Sequence, residues 1–318
     1  MRFDVFNGDA DGLCALQQFR LVFPAESQLV TGVKRDIALL KKVNAAAGDE
    51  VNVFDISLDK NREPLASFLS QGVEVKYFDH HFAGDIPYSN NLNANIDTAP
   101  DTCTSLIVDQ FLGGKYRAWA VVGAFGDNFD DRARQAAEGL GMSEEQLTLL
   151  RELGVYLNYN GYGATVDDLH FAPAELSRRM AGYEDPLDFI VQEAEVFETL
   201  RSGYIDDFAK AEACEPAIVD DLVAVYLFPA ESWARRVSGV FVNQLAAANL
   251  NRAHALLTEL PQGGYVVSVR APMSNKFGAD DLCRQFPTGG GRKAAAGIND
   301  LPATMYDEFV VAFKAIYA

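Results

Sequence analysis

Three short apolar runs near the amino terminus each end in carboxylates, and the stretches between them carry apolar side chains at helical spacing. Arg2-Phe3-Asp4-Val5-Phe6 runs into Asn7-Gly8-Asp9-Ala10-Asp11-Gly12, Val51-Asn52-Val53-Phe54 into Asp55, and Val73-Glu74-Val75-Lys76-Tyr77-Phe78 into Asp79-His80-His81. Strands alternating with helices argue for a parallel sheet. In an open α/β sheet, ligands bind beyond the carboxyl ends of the strands, so acids at successive strand ends meet in one crevice although far apart in sequence. A fourth apolar run, Ala118 to Ala124, leads through Phe125-Gly126 to Asp127.

Asp9, Asp11, Asp55, His80 and Asp127 are therefore the expected ligand cluster. Carboxylate, imidazole and water suit Mn²⁺ or Mg²⁺, and the cluster contains no thiolate of the kind a structural zinc site uses. If Asp55 bridges, these ligands suffice for two ions. Such a pair, about 3.5–4 Å apart, would polarise a phosphoryl group, make hydroxide from a bridging water and stabilise the leaving oxygen. Phosphoester hydrolysis is the reaction implied. Taken alone, Asp9-Ala10-Asp11 is an ordinary turn or cap sequence and Asp55 an ordinary loop start; together with Asp79-His80-His81 they cease to read that way.

With these residues in place, the chain resembles the DHH-family phosphoesterases. Asn7 to Gly12 matches the first family motif, Asp55 the second, Asp79-His80-His81 the third and Gly123 to Asp127 the fourth. In the carboxy-terminal half, Val266-Val267-Ser268-Val269-Arg270 followed by Gly289-Gly290-Gly291-Arg292-Lys293-Ala294-Ala295-Ala296-Gly297 is similar to the strand-Arg and Gly-rich signatures of the DHHA1 substrate-binding domain. The fold class implied is α/β: a parallel-sheet DHH catalytic domain over residues 1–190, a helical linker over 191–214 and a smaller α/β DHHA1 domain over 215–318.

The resemblance implies that Asp9 and Asp55 hold one Mn²⁺, while Asp11, Asp55, His80 and Asp127 hold the other, with Mg²⁺ an alternative. His81 would face the scissile phosphate and Asp79 would orient a histidine from behind the ligands. Asp55, His81 and Asp79 are thus the catalytic set. Arg270, Gly289, Gly290, Gly291 and Arg292, with His81, would bind substrate: a guanidinium fork suits phosphate, and glycine amides ahead of a helix start can cradle one. Domain closure would complete the site. Two positions depart from the family pattern. Asn7 stands where relatives carry a histidine ligand, and an amide oxygen is a weaker ligand; Arg292 stands where they carry a histidine and brings a permanent planar cation.

At 318 residues, 49% hydrophobic and 23% charged, the chain has the composition of a two-domain globular protein. The net charge of −18 opposes long nucleic acids, which are bound through many Lys and Arg contacts, and favours small nucleotides or short oligonucleotides. No signal-peptide pattern or bilayer-length apolar stretch is present, so the expected location is cytoplasmic, without membrane partners. A homodimer is compatible with everything above. Cys14, Cys103, Cys214 and Cys283 are widely spaced and read as free thiols.

Further helices are expected over Asp36–Ala47, Asn61–Leu69, Thr102–Leu112, Ser143–Leu157, Pro186–Glu212, Gly239–Leu250 and Ala303–Ile316. Further strands are expected over Gln28–Val33, Leu222–Leu227 and Tyr265–Arg270. Asn158 to Gly163 reads as a turn whose tyrosines either stack on a base or simply pack. His170 and His254 read as surface or packing histidines, and Arg235 and Arg236 as solvated charges. Two other functions remain open at this point: a catalytically weakened nucleotide sensor, suggested by Asn7 and Arg292, and a pyrophosphate or polyphosphate hydrolase, which the Arg270 and Gly289–Gly291 signatures oppose.

Overall fold

A computed structural model describes residues 1–317. The chain divides into two units, Met1–Ser202 and the remainder from Gly203. The first contains β1 (Arg2–Phe6), α1 (Ala10–Val22), β2 (Gln28–Val30), β3 (Glu50–Phe54), α2 (Arg62–Ser70), β4 (Glu74–Asp79), β5 (Leu92–Ile96), α3 (Thr104–Phe111), α4 (Arg117–Gly126), α5 (Asp130–Ala137), α6 (Glu144–Asn160), α7 (Pro173–Met180) and α8 (Pro186–Gln192). Helix α9 (Ala194–Glu212) carries the division. It leads to β6 (Ile218–Val219), β7 (Val223–Phe228), α10 (Ser232–Ala248), β8 (Ala253–Glu259), β9 (Tyr265–Arg270), α11 (Ala279–Cys283), β10 (Gly289–Arg292), β11 (Ala295–Leu301) and α12 (Tyr306–Tyr317).

The first sheet has the order β2-β1-β3-β4-β5 and is parallel throughout. Both faces are covered, so the central strands carry buried apolar side chains on each, interrupted by the polar row Asp4, Asn52 and Lys76 across β1, β3 and β4. Val51 and Val53 of β3, with Phe3, Val5, Val75 and Tyr77, pack against Leu39, Leu40, Leu65 and Phe68 on one side. On the other side, Phe54 stacks on Phe78 with ring centroids 5.5 Å apart, and Phe19 of α1 and Phe111 of α3 close over the pair. The register pairs Phe6 with Phe54 and Phe54 with Phe78, so the three strands end level and their following residues share one sheet edge.

Two expectations are corrected here, and the element before Asp127 is settled. Asp36–Ala47 forms no α-helix, only a 3-10 turn at Leu39–Lys42. Asn61 accepts from the Leu40 amide and donates to the Ile37 carbonyl, doing for this backbone what helical hydrogen bonds would otherwise do. The apolar run before Asp127 is helix α4, where the other three runs are strands. Gly126 there lies against α6: a Cβ on it would stand 2.3 Å from Ala10 Cβ and 2.8 Å from the Gly154 carbonyl oxygen. Helix α6 continues to Asn160, into the expected turn, and is capped by Gly161. Tyr159 is fully buried and its hydroxyl meets His170 Nε2 at 2.9 Å, so it packs and stacks on no ligand.

The second sheet has the order β10-β11-β9-β8-β7-β6, with only β7 and β8 parallel. One face packs Val225, Leu257, Val267 and Ile298 with Phe309 and Phe313 of α12. The other packs Phe228 and Leu256 with Phe241 of α10 and Phe208 of α9. Gly289–Gly291 begins no helix. It lies in β10, antiparallel to β11, where glycine's poor helix propensity is no handicap and Gly289 must pass so close to the Cys283 carbonyl that a Cβ would stand 1.7 Å from it. Arg236 is not solvated: it pairs with Asp207 at 2.8 Å with its side chain largely buried. All four cysteines are free, and no helix among the described residues is long and apolar enough to cross a membrane.

Candidate metal centre

Each acid reaches the site through its element's end. Asp9 caps α1, accepting from the Gly12 amide at 3.1 Å. Asp11, two residues further and in the first turn of α1, accepts from the Thr104 and Ser105 amides at the start of α3, 2.7 Å each, one per carboxylate oxygen. Asp55 follows β3 with φ of 59°, a left-handed conformation that Asp tolerates better than most residues. Asp127 closes the carboxyl end of α4. These residues are nearly or wholly buried except Asp127 at the rim.

His80 Nδ1 donates to the Thr102 carbonyl at 3.0 Å, which turns Nε2 toward Asp55 Oδ1 at 3.4 Å and Asp127 Oδ2 at 3.5 Å. Oxygen and nitrogen atoms of Asp11, His80 and Asp127 lie within 4.8 Å of one another, as do those of Asp55, His80 and His81. His81 Nδ1 donates to Asp79 Oδ1 at 2.7 Å, and His81 remains 44% exposed while Asp79 is fully buried. The histidine that Asp79 orients is thus His81, and a backbone carbonyl orients His80.

The crowding of acids shifts their protonation. Burial pushes Asp55 well above the carboxylate range, and the charges of Asp9 and Asp11 add to it. Burial also raises Asp127, with Lys34 offsetting part. For His80, burial acts downward, but the hydrogen bond to Asp55 and the charges of Asp11, Asp55 and Asp127 outweigh it and raise the imidazole to about 10. Carboxylates this crowded beside an imidazole fit a divalent cation held by Asp11, Asp55, His80 and Asp127.

The sequence reading missed Lys34. Its ammonium lies 2.6 Å from Asp9 Oδ2, 2.8 Å from Asn158 Oδ1 and 3.4 Å from Asp127 Oδ1. Burial would raise Asp9, but the Lys34 charge and hydrogen bond, with the Gly12 amide, hold it below the usual carboxylate range. Asn7 donates through Nδ2 to the Lys34 carbonyl at 3.5 Å, and its Oδ1 is buried without a protein partner. Nothing local in Gly32-Val33-Lys34-Arg35 marks this lysine.

In the second unit, register places Arg292, Ala295, Arg270 and His254 in one row across β10, β11, β9 and β8. Arg270 Nε donates to Asn243 Oδ1 of α10 at 2.6 Å. Gly290 stands in the same strand as Arg292, with open space where a side chain would be. His254 is buried, and desolvation, with the nearby Arg252 charge, lowers it to about 4.

No protein family matches the sequence and no curated protein does, but 34 solved chains match in structure. They include exonuclease RecJ bound to manganese (17% identity, TM-score 0.66, covering 99% of this chain and 89% of that one). RecJ in complex with Mn²⁺ from Thermus thermophilus matches at 19% identity and a TM-score of 0.64, over 99% of this chain but 51% of that one. The pGpG-specific phosphodiesterase PggH from Vibrio cholerae matches at 13% identity and a TM-score of 0.56, over 99% and 97%. The chain therefore has the α/β fold of the DHH-family proteins, as the motif resemblance implied.

Proposed function

We propose that this protein is a metal-dependent phosphoesterase that hydrolyses phosphoester bonds of small nucleotides or short oligonucleotides. The observation that carries the reading is the convergence of Asp11, His80 and Asp127 within 4.8 Å, with Asp55 beside His80 and the Asp79–His81 pair at the exposed margin. It gains support from the fold shared with the two manganese-bound RecJ structures.

Asp11, Asp55, His80 and Asp127 would hold the ion, and the imidazole among the oxygens favours Mn²⁺ over Mg²⁺. When bound there, a divalent cation supplies Lewis acidity toward a phosphoryl oxygen and acidifies a water. Thr104 donates to Asp55 Oδ1 at 3.1 Å and the α3 amides hold Asp11, so both carboxylates are oriented before any ion arrives. His81, fixed through Nδ1, presents Nε2 to an incoming phosphate at the exposed edge. In the second unit, Arg270 and Arg292 would bind a phosphate beside the open backbone of Gly290, with Gly289 and Gly291 packed beneath it. That Arg and glycine surface suits a nucleotide better than inorganic pyrophosphate, and the acidic net charge suits short substrates.

The test is Mn²⁺-dependent release of phosphate or mononucleotide from a panel: 3′-phosphoadenosine 5′-phosphate, di- to pentanucleotides, linear and cyclic dinucleotides, long single strands and pyrophosphate. Turnover of one short nucleotide class, absent in Asp55→Asn, is expected. Nucleotide binding without turnover would overturn hydrolysis in favour of a sensor.

A further inference from the structure

We propose that the Lys34 ammonium is a built-in cation standing where a second metal ion would otherwise sit, so that the site takes one divalent ion. The inference rests on the metal reading above and narrows it.

An ammonium has three N–H donors and no acceptor. Lys34 Nζ has three oxygens in reach: Asp9 Oδ2 at 2.6 Å, Asn158 Oδ1 at 2.8 Å and Asp127 Oδ1 at 3.4 Å. Asp9 is the carboxylate on which a second ion would depend, and its Oδ2 is taken by this contact while its Oδ1 accepts from the Gly12 amide. Asn7, the remaining candidate ligand on that side, is uncharged and turns its NH₂ to the Lys34 carbonyl.

Lys34 is held there by its backbone as well. Its amide donates to the Gly161 carbonyl at 2.8 Å. The preceding loop lies directly on the Asn7 to Gly12 loop, close enough that a Cβ on Gly8 would stand 2.0 Å from the Gly32 carbonyl oxygen. Glycine at position 8 is what lets the two loops approach. The ammonium is only 23% exposed on its side chain, so its charge is weakly screened by water. A dication sharing Asp9 with it would face that charge across the 2.6 Å contact, whereas an ion on Asp127 shares only its 3.4 Å contact and has Asp127 Oδ2, which faces His80, on the other side. The ions that fit are then one divalent cation on Asp11, Asp55, His80 and Asp127, with Lys34 supplying the other positive charge toward a phosphoryl oxygen.

The experiment counts Mn²⁺ bound per chain by equilibrium dialysis and elemental analysis, and records the electron paramagnetic resonance spectrum, for the wild-type protein, Lys34→Arg, and Lys34→Met combined with Asn7→His. One ion per chain with the spectrum of an isolated Mn²⁺ is expected for the wild type and Lys34→Arg. Two ions with a spin-coupled spectrum are expected for the double variant. Two coupled ions in the wild type would overturn the inference and leave the metal reading standing, and that count stands even if the double variant fails to fold. A folded double variant that stays at one ion would overturn it too. No bound ion in the wild type would overturn both.

Discussion

His81 Nδ1 lies 2.7 Å from Asp79 Oδ1, and the other oxygen of that fully buried carboxylate has no protein partner. A carboxylate kept in the interior for one hydrogen bond fixes a ring that is itself 44% exposed. Asp79→Asn keeps the shape but offers Nδ1 an amide that can present either its oxygen or its NH₂. Turnover is expected to fall by about 10–100-fold, as for other groups that orient a functional histidine, while Mn²⁺ affinity measured by calorimetry stays within about twofold. An equal collapse of metal affinity would show that Asp79 supports the ligands and not His81.

Asp55→Asn should separate function from stability. Asn accepts the left-handed backbone that Asp55 adopts, so the fold should survive while turnover is lost. Burial and the neighbouring charges of Asp9 and Asp11 make the Asp55 carboxylate costly in the protein without metal. Thermal melts in the presence of a chelator are therefore expected to show the variant more stable than wild type, by about 1–2 kcal/mol. Added Mn²⁺ should stabilise the wild type and leave the variant almost unmoved. A variant that melts lower in chelator would contradict the crowding.

The strand ends were legible because their signal is local: Phe54 and Phe78 announce buried strands, and Asp55 and Asp79 follow directly in the chain. Asp127 was legible by its apolar approach, although α4 is a helix, because burial makes Trp119 to Phe125 apolar whichever element they form. Lys34 was not legible. Its position depends on Gly8 meeting Gly32, on the Gly161 carbonyl and on Asn158 far along α6. The stretch after Asp36 misled for a related reason, since its hydrogen-bond partner Asn61 belongs to the turn before α2.

Proton release should accompany metal binding. In the protein without metal, His80 titrates at about 10 against 6.5 for an ordinary histidine. Because the folded value is the higher one, its stabilising contribution is complete below about 6.5 and fades as pH rises through about 10. To accept an ion, Nε2 must lose that proton. Apparent Mn²⁺ affinity is therefore expected to rise about tenfold per pH unit between pH 7 and 9 from this group alone. Calorimetry in buffers of different ionisation enthalpy should register at least one proton released per ion. Affinity that does not change with pH would exclude His80 as a ligand.

On the proposed function, Arg270 would serve substrate grip and not metal chemistry. Its Nε donates to Asn243 Oδ1 and its Nη1 to the Val269 carbonyl at 3.0 Å, so the guanidinium is held in one orientation. A charge-assisted hydrogen bond contributes about 1.5–3 kcal/mol, so Arg270→Ala should lower kcat/KM for the preferred nucleotide by about 10–100-fold. A minimal aryl phosphodiester, which has no second phosphate to hold, should lose less than about threefold. Asn243→Ala, which frees the same guanidinium from its restraint, should produce a smaller loss on the nucleotide alone. Equal losses on both substrates for Arg270→Ala would mean that the arginine acts on the reacting phosphate or on the fold, and the division of labour between the two units would fail.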